Sequence, residues 1–111
     1  MSNIIPRGHI STILLGCLVD GDKYGAQLFT ELQKDNEITI KQPTLYSTLS
    51  RMEKQGLISS YWRDSDIGGK RHYYSLTDLG KKEFSYRKSL LKPKIEESLK
   101  VFKLVYSDLY L

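Results

Sequence analysis

Between residues 8 and 19, apolar side chains fall at Ile10, Ile13, Leu14, Cys17 and Leu18. This is the i, i+3, i+4, i+7, i+8 spacing of one helical face, and Asp20-Gly21-Asp22 ends it. A second amphipathic stretch, residues 24–34, turns Leu28, Phe29 and Leu32 inward and stops at Asp35-Asn36. Ile38-Thr39-Ile40 is a short link. A third helix is predicted over residues 42–55: Pro43 is tolerated in a first turn, where the amide has no intrahelical partner, and Gly56 is the stop. Leu45, Leu49 and Met52 make its buried stripe, while Gln42, Ser47, Ser50, Arg51 and Lys54 leave the opposite face almost without apolar area.

The period then changes. Residues 57–63, rich in Ile, Tyr and Trp, read as a strand, and residues 71–76 read as another. Residues 64–70 join them as a polar tip, in which Gly68-Gly69 supplies the positive φ of a tight reversal. Tyr73 and Tyr74 point to opposite faces, so one of them is core; the pattern does not decide which. Thr77 or Asp78 caps a last helix, which Pro93 is expected to kink or restart. Beyond it Ile95, Leu99, Phe102, Tyr106 and Leu109 recur at spacings of four and three, with Val101, Leu104 and Val105 beside them. This stripe either covers the chain's own core or meets a partner helix. Five apolar positions at coiled-coil spacing exceed what so small a domain needs for itself, which favours a dimer interface.

Helix, helix, helix, hairpin, helix is the layout of a winged helix-turn-helix. The expected fold class is α+β, mainly α, with three helices, a two-stranded β wing and a C-terminal dimerisation helix. Residues 1–78 would form the DNA-binding part and residues 79–111 the dimerisation segment, one compact domain overall. With 40% hydrophobic and 27% charged residues, neither disorder nor a fibrous repeat is indicated. The longest apolar run, residues 13–19, falls short of the roughly 20 residues that a membrane span requires. Arg7 is the only early cation and no cleavage site follows, so the expected location is the cytoplasm, without a membrane partner. A lone Cys17 forms no internal disulfide, in keeping with a reducing compartment.

Charge is unevenly spread. Residues 1–40 hold three cations against five anions, residues 41–71 six against three, and the chain beyond Gly80 eight against four. A basic half invites a polyanion. The helix-three face would enter a major groove about 12 Å wide while the wing reaches phosphates alongside. Helix geometry nominates Gln42, Thr44, Ser47 and Arg51. Plainer alternatives exist: Tyr46 packs on helix two, Arg51 pairs with Asp35 or Glu53, and Lys70 with Arg71 is a solvated turn. Catalysis is not expected, because Cys17 sits on an apolar helix face and is read as a small hydrophobe, not a nucleophile partnered by His9 or His72. One cysteine and two histidines without ligand spacing give no metal site, and no cofactor is implied. A rival reading is a winged-helix module that binds protein, not DNA; such a module would expose Leu, Phe or Trp where this chain is polar and cationic.

Thr44-Leu45-Tyr46, Leu49, Arg51-Met52-Glu53, Gly56-Leu57-Ile58, the run from Gly69-Lys70-Arg71-His72-Tyr73-Tyr74 through Ser75-Leu76-Thr77, and Gly80 form a set. The set resembles the signature of PadR-type transcriptional regulators, and the likeness extends weakly upstream over about residues 7–82. It implies a repressor or autoregulator that binds an inverted repeat as a homodimer. It also implies Tyr46 as a groove or phosphate contact and Lys70 and Arg71 as the wing's backbone contacts, and together with Trp62 near the hairpin it motivates a small hydrophobic effector as a further partner. The chain departs from the pattern at Ala26, where an aromatic is common, and at Lys41, where a Ser cap is usual. Its short, tryptophan-free C-terminal helix carries over no flat drug pocket between protomers.

Overall fold

The computed structural model describes residues 7–35 and 37–107. In chain order come α1 (Arg7–Cys17), β1 (Lys23–Tyr24), α2 (Gly25–Thr30), α3 (Gln42–Lys54), β2 (Ile58–Asp64), β3 (Lys70–Leu76) and α4 (Asp78–Val105). This is the expected mainly helical winged helix. Leu109, assigned to the dimer stripe, lies outside the described residues.

Leu14, Leu28, Leu32, Leu45, Leu49 and Met52 are fully buried in one core, as their spacing predicts. Each such side chain contributes roughly 1.5–3 kcal/mol relative to exposure. Around α1 the expectation needs correction. Leu15 is fully buried although the single-face reading omits it, whereas Ile13 and Cys17 are half-buried. The reason is that α1 is covered from a second side by α4. The Phe84 ring seats on Gly16, where an added Cβ would come within 3.1 Å of it, and Arg87 Nη1 donates to Ser11 Oγ at 2.6 Å.

The second helix also differs from its prediction. Lys23 and Tyr24 are extended and pair with β3, so α2 starts at Gly25 and runs on into a π-helical turn, Glu31–Asp35. Lys23 Nζ reaches Glu31 Oε2 at 2.7 Å and ties β1 to that turn. The sheet order is β1-β3-β2, all antiparallel, so the two-stranded hairpin gains a short third strand. In the hairpin Ile58 faces Leu76, Trp62 faces His72 and Asp64 faces Lys70; Gly68 (φ 98°) and Gly69 (φ 73°) make the reversal. Tyr74 is the buried member of its pair, beside Leu76 and Ile58 on the core-facing side.

Gly56 ends α3 in the left-handed region (φ 78°), as expected. Thr77 joins this corner to the last helix. Its hydroxyl accepts from the Gly80 N–H at 3.0 Å and lies 2.6 Å from the Gly56 carbonyl oxygen. Pro93 neither ends nor restarts α4, which is continuous across it. Proline removes one donor, the one that would reach the Ser89 carbonyl, and Ser89 is exposed, so water can replace it. Past Leu91 every residue through Tyr106 is exposed. The envelope is therefore elongated, 60 × 29 × 21 Å, with a radius of gyration of 17.2 Å. A compact chain of this length has about 13 Å.

Candidate nucleic-acid interface

The surface that could meet a duplex is built from α3, the start of α2 and the wing. Burial of Leu45, Thr48, Leu49 and Met52 fixes the rotation of α3. It leaves Gln42, Tyr46, Ser47, Ser50, Arg51 and Lys54 outward, with Thr44 half-buried at the margin. Thr48 Oγ1 and Ser47 Oγ both donate to the Thr44 carbonyl, at 2.7 and 3.0 Å, so the Ser47 oxygen stays available as an acceptor. Arg51 forms no ion pair among the described residues. Asp35 and Glu53 do not engage it, and Glu53 Oε2 instead accepts from Ser60 Oγ at 2.7 Å.

Tyr46 packs on the start of α2 while 41% of its surface remains exposed. A Cβ on Gly25 would lie 2.5 Å from the Tyr46 Oη, so only glycine lets the phenol approach this closely. Packing and a surface contact are thus compatible for this ring.

Lys70 and Arg71 line a cleft of about 440 Å³ between the wing and α2, together with Tyr46. They are not equivalent, because strand alternation sends them to opposite faces. Lys70 is exposed. Arg71 is half-buried, its guanidinium 4.3 Å from the centroid of the Tyr24 ring, a cation–π contact that presets its position. Arg63, opposite Arg71 in register, lies over Tyr73 at 5.8 Å and adds a third cation to the wing. Two cleft residues were not nominated as DNA contacts from sequence: Trp62, 63% exposed, and His72 stacked on it. The signal was there, since hairpin pairing across residues 65–69 puts both on the Tyr74 face.

Burial, with Glu31 adding, pushes the Cys17 thiol up to about 11, which keeps it protonated and unreactive. Among the described residues no His, Cys, Asp and Glu group could hold a metal ion, and no helix is long and apolar enough to cross a membrane.

Comparison with known proteins agrees with this geometry. The model of the transcriptional regulator PadR-like family matches residues 14–86. A PadR family transcription regulator from Clostridium difficile superposes with a TM-score of 0.75 at 31% identity, over 86% of this chain and 98% of that one. A PadR-like transcriptional regulator from Bacillus cereus gives 0.75 at 27% identity, over 92% and 96%. An uncharacterised protein of Lysinibacillus sphaericus is 42% identical over 82 residues, 72% of this chain and 74% of that one. This chain belongs to the PadR-like family of transcriptional regulators, and is a DNA-binding regulator of transcription and not an enzyme.

Proposed function

We propose that the chain represses transcription by binding an inverted-repeat operator as a homodimer, with α3 in the major groove and the wing on the flanking backbone. The observation that carries this reading is the polar, cationic outer face of α3, with Arg51 free of carboxylate partners among the described residues, beside a wing that presents Lys70 and Arg71. Residues 1–78 bind DNA and residues 79–111 dimerise in this proposal. Its support is the exposed stripe Ile95, Leu99, Phe102 and Tyr106 on a helix that projects from the body. Within the stripe the Phe102 and Tyr106 rings lie 4.7 Å apart.

Base contacts specify and phosphate contacts position, so the two surfaces should respond differently to mutation. Gln42, Thr44, Ser47 and Arg51 read base edges, Tyr46 touches the groove wall or a phosphate, and Lys70 with Arg71 holds phosphates. The double variant Lys70→Ala, Arg71→Ala is expected to weaken operator and random duplex alike. It should flatten the dimer's log-log salt slope by up to about 3.6 units, at roughly 0.9 per phosphate. An unchanged slope in a variant of unchanged thermal stability would remove the wing from the interface.

The proposal includes a small hydrophobic effector. Its support is the family resemblance and a recess of about 330 Å³ between α1 and α4, where Leu90 and Leu91 adjoin Arg87. Hydrophobic ligands that bind the protein yet leave duplex affinity unchanged would speak against it.

A further inference from the structure

His72 has no part in the reading so far, yet it occupies the cleft. Its imidazole is held between two rings of the same sheet face. Trp62 lies at 4.4 Å between centroids and 17° from parallel, Tyr74 at 4.7 Å and 30°. Nδ1 is 3.4 Å from Tyr74 Oη, while Nε2 has no hydrogen-bond partner among the described residues. The ring is thus fixed in orientation, with one nitrogen left to engage something outside the protein.

The charges around it are of both signs. Lys70 and Arg71 precede it on β3 and line the same cleft. Glu53 on α3 lies near enough to Tyr74 to help raise that phenol's pKa, after burial and Tyr46. Asp64 stands across from Lys70 in register. Tyr24 and Tyr46 bring phenol rings to the cleft, and α2 brings only Gly25 and Ala26, which carry no charge. The flanking aromatic faces attract a cation. A phosphate entering the cleft beside Lys70 and Arg71 would give the imidazolium a partner.

We propose that His72 is a further wing contact to the DNA backbone, made as the imidazolium, so that duplex binding takes up a proton. This rests on the DNA-binding reading above. The sign follows from which form gains a partner. The bound complex favours the charged ring, so the contribution is full at low pH and is lost as pH rises through the bound-state value.

The test is binding of a random-sequence duplex over a salt series at about pH 6 and about pH 8, either side of the ordinary histidine value of about 6.5. For the wild-type chain the log-log slope should be steeper at the lower pH by roughly 0.9 per protomer, with correspondingly tighter binding. His72→Gln should show the shallow slope at both pH values, and His72→Lys, which keeps a permanent cation, the steep slope at both. The chain has one other histidine, His9, at the far end of α1, and His9→Gln should behave as wild type. A wild-type slope that does not change with pH, or a His72→Gln chain that still responds, overturns the inference and leaves DNA binding intact. Failure to bind any duplex at either pH overturns the DNA-binding reading, and this inference with it.

Discussion

A chain carrying both Leu99→Asp and Phe102→Asp is expected to sediment as a monomer at micromolar concentration and to bind its operator roughly 100-fold or more weakly. Each side chain is about half exposed in the single chain, 51% for Leu99 and 57% for Phe102, so the substitutions remove little from the chain's own packing. In a symmetric dimer each change counts twice, and removing four buried side chains at roughly 1.5–3 kcal/mol each amounts to about 6–12 kcal/mol. A dimer held at micromolar strength is stabilised by only about 8 kcal/mol. Once it dissociates, the two half-sites are bound independently, which removes the gain from linkage. Circular dichroism of the variant should match wild type, because the core residues lie elsewhere. A variant that still sediments as a dimer would place the interface outside this stripe.

Arg51→Ala and Ser47→Ala are expected to act on the operator alone. Each should weaken operator binding by roughly 1–3 kcal/mol, the worth of one base-reading side chain, while leaving random duplex nearly unaffected. Both positions are exposed, so neither change should unfold the chain. Ser47 gives up only a local bond to the Thr44 carbonyl, and alanine is the better helix former there. Arg51 has no ion pair among the described residues whose removal would leave a carboxylate stranded. Thermal unfolding measured alongside separates a binding effect from a folding one. Equal weakening on operator and random duplex would turn these residues from base readers into backbone contacts.

The parts of the fold that were legible in sequence are those fixed by local chemistry. Pro43 and Gly56 bracket α3, Thr77 caps α4, and Gly68-Gly69 reverses the hairpin. What was not legible depends on packing between distant segments. A two-residue strand such as Lys23–Tyr24 has no periodicity of its own and exists because Tyr73 and Tyr74 pair with it. Leu15 lies off the α1 stripe and is buried because α1 is enclosed from more than one side, by α3 and by Phe84 and Arg87 of α4. The choice between Tyr73 and Tyr74 was open to a simple rule. Leu76 is apolar and two residues from Tyr74, so the pair shares the core face. The cleft joins residues from β1, α2, α3, β2 and β3, and its aromatic lining is invisible to any reading of one element at a time.

The central claim, that a dimer reads DNA sequence through α3, is tested most directly by selecting bound fragments from a pool of random duplex DNA with the intact chain. The account predicts enrichment of an inverted repeat whose half-sites are centred about 10–10.5 base pairs, or a multiple of that, apart. Recovery of duplexes with no common sequence, or of none at all, would contradict it.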